Sequence, residues 1–479
     1  MDKQEERGRP VMNPTPIIRE ITCALPPAEV FALFAQQPNS VYLDSGKDNN
    51  GLGRYSFIAR DPFLVFSSKG QTIQLEEKGG SLTFTGNPFA ELKRLLNQYK
   101  TQKVPGLPPL TGGIIGYFGY DMGYLLETIP ALSNDDLNNP DCMLGFYDTV
   151  LIFDHHANKA YIASNGFPEK DELSRRKRAE NRITELAALV SQAQPLPEPQ
   201  PQIPAGEYRS NFTRQGHCDM VQKGIDYIAA GDIFQVNLTQ RFEAKVTVPP
   251  YELYRYLRHI NPAPFASYLN FGEVIVASAS PERYLLVTDR MVETRPIKGT
   301  RPRGQDPESD RQLSQELLNS AKDRAELVMI IDLERNDLGR VCEFGSVRVP
   351  DLIRLEEYAT VFHLVSTVVG KLAEDKDIID LVTASFPGGS ITGAPKVRAM
   401  EIIDELETVR RSIYTGSIGY IDFNGDADLN IVIRTFVIKG DCAYYQVGGG
   451  IVADSVPELE YEESLDKARA LMKALGYQI

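Results

Sequence analysis

The chain has 479 residues, 42% of them apolar and 24% charged, with a formal net charge of −14. That length exceeds one ordinary core at about 100–200 residues per domain, and the composition is that of a soluble globular protein. The acidic balance excludes a nucleic-acid partner, which needs a basic face, and no apolar run approaches the roughly 18–20 residues that span a bilayer.

Met1 to Arg7 lacks the apolar core of a secretory signal. Cys23, Cys142, Cys218, Cys342 and Cys442 are scattered and show no CxxC spacing. They argue for a reducing cytoplasm and against a disulfide or zinc framework. In chain order, Tyr55-Ser56-Phe57-Ile58-Ala59 and Phe63-Leu64-Val65-Phe66 read as strands, as do Leu82-Thr83-Phe84 and Val150-Leu151-Ile152-Phe153. Residues 88–99 read as one amphipathic helix and 168–190 as a polar one. The alternating prolines of 194–204 then hold an extended backbone that cannot join a sheet interior, which predicts a linker. Beyond it helices and strands mix, with no repeat at solenoid period.

Two helices in this second segment carry acidic pairs. A helix predicted over 309–333 holds Asp323 and Glu326, three apart. The C-terminal helix opens with a Ser455/Glu458 capping-box pattern and Pro457, and stops at Gly476. Tyr461, Leu465, Ala468, Met472 and Leu475 form its buried stripe, leaving Glu460 and Glu463 together on another face. Two such pairs can hold Mg²⁺, which prefers oxygen ligands, although carboxylates at this spacing are more often solvated helix surface. The run Phe386-Pro387-Gly388-Gly389-Ser390-Ile391-Thr392-Gly393-Ala394-Pro395-Lys396 is not a phosphate loop, because no Gly-Lys-Ser/Thr follows and Pro395 removes a donor. Gly448-Gly449-Gly450 either form a tight turn or let the backbone amides approach an anion.

Thr294-Arg295-Pro296-Ile297-Lys298-Gly299-Thr300-Arg301-Pro302-Arg303 resembles the PI-x-GTRPRG signature of the chorismate-binding enzymes. The resemblance continues from about 211 to 467 through Gly231-Asp232-Ile233-Phe234-Gln235-Val236 and Ala279-Ser280-Pro281-Glu282-Arg283. It takes in Ala321-Lys322-Asp323-Arg324-Ala325-Glu326, Asp332-Leu333-Glu334-Arg335-Asn336-Asp337, Phe362-His363-Leu364-Val365-Ser366, Ile433-Arg434-Thr435 and the run from Gly448 to Ser455. Leu43-Asp44-Ser45 and residues 113–121 resemble the family's N-terminal region more loosely. The resemblance implies an α+β fold, an α/β sandwich of two large packed antiparallel sheets with surrounding helices. It assigns 15–190 to the N-terminal region, 191–208 to the proline-rich linker and 209–476 to the chorismate-binding domain.

It also implies site roles. Glu326 and Glu463 would ligate Mg²⁺ with Asp323 and Glu460 beside them, and the metal would hold the ring carboxylate of chorismate. Arg434, Tyr414 and the amides of Gly448, Gly449 and Gly450 would hold the enolpyruvyl carboxylate. Gly299, Thr300 and Thr392 would also line the substrate. Lys467 either faces this pocket or makes an ordinary i,i+4 pair with Glu463. Glu282 resembles the family's general acid/base, and His363 the group that helps the C4 hydroxyl leave.

Within the family the x position carries alanine in anthranilate synthases and a nucleophilic lysine in aminodeoxychorismate synthases. Lys298 therefore implies amination of chorismate at C4 through a covalent adduct, with anthranilate formation as the alternative. Gln235 stands where the water-adding members carry a lysine, and an amide cannot act as that base. No glutaminase segment is recognisable, so ammonia is expected from a separate glutamine amidotransferase subunit in a heterodimer. Asp44, Ser45, Pro264 and Phe265 resemble the pocket that binds L-tryptophan in this superfamily. A non-catalytic subunit binding an amino acid or a partner is the reading from another class, and the complete set of candidate catalytic residues stands against it.

Overall fold

The computed structural model describes residues 14–46, 52–358 and 361–477. Two antiparallel sheets of 12 strands each form its frame. The first runs from Ile17–Ile21 through Lys159–Ser164, Thr149–Asp154, Tyr55–Ala59 and Ser40–Asp44. It continues with Phe265–Asn270, Ile275–Ser280, Thr435–Lys439, Cys442–Ile451 and Gln235–Lys245. The second begins with Ile297–Pro302, Val361–Lys371, Met291–Thr294, Arg283–Thr288, Ala427–Asn430 and Ser417–Asp422. It ends with Gly113–Phe118, Cys142–Tyr147, Leu64–Lys69, Thr72–Glu77 and Gly80–Thr85. Each sheet thus joins strands from both sides of the proline-rich stretch, with seams at Ala266↔Asp44 and Gly419↔Gly116. This is the α+β sandwich that the resemblance implied.

Burial on two faces explains the apolar runs. In Thr149–Asp154, Val150 and Ile152 face the space between the sheets, while Leu151 and Phe153 pack under the outer helices. A strand covered on both sides has no reason to alternate. Phe57 of the first sheet meets Tyr420 of the second edge to face at 5.4 Å, a pair worth about 0.5–1.5 kcal/mol beyond its area.

The helix Pro88–Gln98 is capped by Asn87, whose side chain accepts from the Ala90 amide at 3.1 Å. Glu172–Val190 starts at Asp171 in the same way and buries Ala179, Ile183, Leu186 and Val190. The proline-rich stretch has no regular structure but is pinned to the body. Gln202 is buried, donating to the Lys245 carbonyl at 2.8 Å and accepting from the Thr247 amide at 3.0 Å.

Two expected elements differ. The helix expected over 309–333 is two helices, Pro307–Asn319 and Ala321–Gly339, broken at Ser320. Ser320 has an extended backbone, and its hydroxyl accepts from the Asp323 amide at 3.3 Å. A serine that caps one helix ends the one before it. The Ser455/Glu458 capping box also does not form. Helix Pro457–Ala474 starts at Val456 without a side-chain cap, because Ser455 donates to Glu460 Oε1 at 2.7 Å instead. Among the described residues no helix is long and apolar enough to cross a membrane.

Candidate active site

The site lies where the chain passes between the sheets. Glu282 sits in the turn from Ile275–Ser280 of the first sheet to Arg283–Thr288 of the second. Arg434 stands on the return, between Ala427–Asn430 and Thr435–Lys439. The crossings are tied together: the Ile431 amide donates to the Glu282 carbonyl at 3.0 Å, and the Ala279 amide to the Arg434 carbonyl at 3.1 Å. Arg434 adopts the left-handed conformation (φ +52°) that non-glycine residues rarely take.

Lys298 and His363 come from neighbouring strands of the second sheet, Lys298 pairing with Leu364 and Thr300 with His363. The ladder slips between Lys298 and Thr300, and Gly299 takes φ +72° there. A methyl group at Gly299 would lie 2.8 Å from Leu317 Cδ1 and 2.9 Å from Asp323 Cβ, so backbone angle and space both require glycine. The Thr300 hydroxyl then reaches His363 Nδ1 at 2.9 Å.

Burial dominates the electrostatics. Lys298 donates to the Ser390 carbonyl at 3.2 Å and is half-buried. Its amine is pushed below the usual lysine range by desolvation, and Lys467 adds to this while Glu326, Glu282 and Glu463 oppose it without prevailing. Glu282 is buried and pushed up by desolvation, against the Ser390 hydroxyl, Lys298, the Ile297 amide and Arg434. His363 is pushed down to about 4 by burial and by Arg434, so it is neutral near pH 7. The Arg434 guanidinium is half-buried beside Glu282 and makes no hydrogen bond to any described residue. It is available to an incoming carboxylate.

The acidic set converges on the same space. Glu326 is raised by burial and by Asp323 and Glu460, and Glu460 by burial and by Glu463. Crowded carboxylates of this kind suit a hard cation in donor chemistry. Among the described residues, however, no three such groups gather closely enough to hold an ion. Two ammonium groups stand there: Lys467, 2.7 Å from Glu463 Oε1 and 2.9 Å from the Gly448 carbonyl, and Lys322, which lowers Glu326, Glu460 and Glu463 alike. Asp323 is bonded by Arg301 at 3.3 Å.

Gly449 borders this cluster, since a methyl group on it would lie 3.4 Å from Glu460 Oε2, Glu463 Oε1 and Lys467 Nζ. One on Gly450 would meet Gln235 Nε2 at 2.5 Å. Gln235 is fully buried, and neither end of its carboxamide has a hydrogen-bond partner among the described residues. Gly448 packs against the Leu238 carbonyl of the adjacent strand.

The other expected residues have partners of their own. Tyr414 is buried beside Arg411 and Glu407, with its hydroxyl pushed up by burial. The Thr392 hydroxyl turns back to the Gly388 carbonyl at 3.1 Å. Asp44 accepts from Arg258 and from the Tyr254 hydroxyl, and Ser45 bonds Ser56 at 3.1 Å, which reaches His155 at 2.8 Å. A cavity of about 570 Å³ lies next to them, lined in part by Cys23, Gly46, His155, Arg258 and Pro262. Pro264 is buried, and Phe265 lies under the Arg283 guanidinium at 5.0 Å. Neither spacing nor resemblance marks Ser390 or Lys322, although they stand inside the runs Phe386–Lys396 and Ala321–Glu326.

Residues 39–473 match the family described as chorismate binding enzyme. The chain is 41% identical over 475 residues to anthranilate synthase component 1 of Acetivibrio thermocellus, covering 97% of this chain and 95% of that protein. It is also 41% identical over 446 residues to aminodeoxychorismate synthase component 1 of Bacillus subtilis (strain 168), covering 92% and 93%. The crystal structure of anthranilate synthase component I from Streptococcus pneumoniae TIGR4 superposes with a TM-score of 0.77 at 33% identity, covering 88% of this chain and 92% of that one. This chain belongs to the chorismate binding enzyme family.

Proposed function

We propose that this chain aminates chorismate at C4 to give 4-amino-4-deoxychorismate, the precursor of 4-aminobenzoate and folate. The observation that carries this reading is Lys298, a half-buried amine facing Glu326, Glu282 and Glu463 whose protonation burial disfavours. A lysine is a nucleophile only when unprotonated, and desolvation is one means to that end. In this mechanism the Lys298 amine attacks C2, the ring double bond shifts, and the C4 hydroxyl leaves as water after taking a proton. Neutral His363 offers an N–H to that oxygen, and Glu282 moves the proton. Ammonia then adds at C4 and expels Lys298, leaving the pyruvyl ether intact. Arg434 and the amides of Gly448, Gly449 and Gly450 hold the side-chain carboxylate. Mg²⁺ on Glu326 and Glu463, with Asp323 and Glu460 beside it, would supply the positive charge facing the ring carboxylate. Ammonia is supplied by a separate glutaminase subunit.

The second reading is anthranilate synthase component I, and the equal identity to relatives of that name supports it. Product analysis separates the two. The full-length chain is incubated with chorismate, Mg²⁺ and ammonium, with and without an aminodeoxychorismate lyase. A product that the lyase converts to 4-aminobenzoate supports C4 amination; lyase-independent anthranilate with released pyruvate overturns it. The same reading places L-tryptophan in the cavity beside Asp44 and Ser45. Because the chain contains no Trp, indole emission from the purified protein reports that ligand directly.

A further inference from the structure

The carbonyls of Ser390, Ile391 and Thr392 are each held by strand Gln235–Lys245 or by an arginine bound to it. The Asn237 side-chain amide donates to the Ser390 carbonyl at 3.1 Å, and the Asn237 backbone amide to the Thr392 carbonyl at 2.8 Å. Arg411 donates to the Ile391 carbonyl at 2.9 Å and to the Asn237 carbonyl at 2.7 Å, and its charge is met by Glu407 at 2.7 Å. Asn237, Ser390 and Arg411 are all buried. A carbonyl oxygen only accepts, so the NH₂ end of the Asn237 carboxamide must face Ser390. The oxygen end then faces Gly450, 3.3 Å from where a methyl group on that glycine would lie.

The Ser390 carbonyl is also where the Lys298 amine rests, at 3.2 Å. Among the described residues that carbonyl is the amine's hydrogen-bond acceptor; Glu326, Glu282 and Glu463 attract it, and Lys467 repels it, through space. Lysine carries its amine on a flexible four-carbon stem, and a hydrogen bond aims such a group only if the acceptor is itself fixed. A carbonyl oxygen has two lone pairs, and here they divide between a short side chain rooted in a sheet strand and the mobile amine. The short side chain fixes the acceptor, and the acceptor fixes the amine.

We propose that Asn237 is a positioning residue for Lys298: by holding the Ser390 carbonyl it sets the direction in which the amine faces the substrate. This rests on Lys298 serving as the nucleophile of the proposed function. The lone pair that attacks is the one left free when an N–H points at Ser390, so the aim of that N–H sets the aim of the attack. The carboxamide is the part of this arrangement that a substitution removes alone. Without it, the Asn237 backbone and Arg411 still hold the Thr392 and Ile391 carbonyls.

The test uses the full-length chain, isotope-labelled at lysine Cε, with the Lys298 signal identified by its loss in Lys298→Arg. In the wild type the ε protons of Lys298 are expected to be magnetically inequivalent, as in a held side chain. In Asn237→Leu, which keeps the bulk and removes the donor, they are expected to merge. In the same variant kcat for ammonia-dependent chorismate consumption is expected to fall by about tenfold or more at unchanged KM. Asn237→Val, a donor-free residue suited to a strand, is expected to behave alike and carries the test if the leucine variant does not fold. Merged ε protons in the wild type, or inequivalent ones in a folded variant, overturn the proposal. So does a rise in KM at unchanged kcat, which would put Asn237 on the substrate instead. Anthranilate from the wild type would defeat the C4 reading, while the ε-proton signals would still decide whether Asn237 holds Lys298.

Discussion

Lys298 and Glu282 are joined through one residue, Ser390: the lysine amine donates to its carbonyl at 3.2 Å, and its hydroxyl bonds the Glu282 carboxyl. The 3₁₀ turn Gly389–Ile391 thereby fixes both groups. Burial moves them in opposite directions, the amine down and the carboxyl up, so each drifts toward neutrality despite the attraction between their charges. An amine and a carboxyl each shifted toward the neutral form suit nucleophilic attack coupled to loss of a hydroxyl group.

Replacing Lys298 tests that chemistry most directly. Lys298→Ala should abolish C4 amination and remove any chorismate-derived mass from the protein trapped during turnover. Lys298→Arg, always protonated, should fail equally. Retention of lyase-dependent 4-aminobenzoate formation in Lys298→Ala would show that the amine is not the nucleophile. Glu282→Gln should lower turnover by about a hundredfold or more while leaving chorismate bound.

The three glycines before Ile451 should separate stability from binding. A methyl group on Gly448 falls 2.0 Å from the Leu238 carbonyl in a paired strand that cannot yield, so Gly448→Ala should cost about 1–3 kcal/mol. On Gly449 the methyl meets Glu460, Glu463 and Lys467 at 3.4 Å, an ordinary contact. Gly449→Ala should therefore keep its melting temperature and raise KM for chorismate. Gly450→Ala must displace the buried Gln235 carboxamide and should lose turnover. Equal melting temperatures for the Gly448 and Gly449 variants would contradict this ordering.

Glu463→Gln tests the cation site. Glu463 pairs with Lys467 on an open helix face, where an i,i+4 pair is worth about 0.3–0.5 kcal/mol, so stability should barely change. Affinity for Mg²⁺, read by calorimetry without substrate, should fall by about tenfold or more. Unchanged affinity would remove Glu463 from the ligand set.

Local elements were legible where one short-range rule decided them. The amphipathic pattern from Pro88 announces a helix, and Val150-Leu151-Ile152-Phe153 announce a strand. The break at Ser320 was not legible, because a serine between two charged amphipathic stretches reads equally as helix surface or as cap. Ser455 has the capping spacing but spends its hydroxyl on Glu460, a choice set by the folded cluster. Long-range pairing, such as Ala266↔Asp44 across the proline-rich stretch, leaves no local periodicity to read. In the candidate site the motifs pointed to Lys298, Glu282, His363 and Arg434. The part played by Ser390 depends on a turn whose geometry no spacing encodes.

His217 provides a pH prediction outside the site. It is 2% exposed, packs edge-on to Tyr461 at 5.4 Å, and neither ring nitrogen has a hydrogen-bond partner among the described residues. Burial pushes it down from the ordinary histidine value near 6.5 to about 4. The folded state therefore binds fewer protons than the unfolded chain between those two values. Its contribution to stability is intact above about pH 6.5 and is lost as pH falls toward 4. Between pH 7.5 and 5 the loss from this one group is on the order of 2 kcal/mol. His217→Phe removes the titration and keeps a ring against Tyr461. Denaturant unfolding of both proteins at both pH values cancels the other titrating groups, among them Asp121 and Asp422, which burial raises to about 7 and which oppose the trend. Relative to its own value at pH 7.5, the variant should lose about 2 kcal/mol less than wild type on acidification. Parallel losses in the two proteins would mean that His217 is protonated in the folded state and finds a partner there.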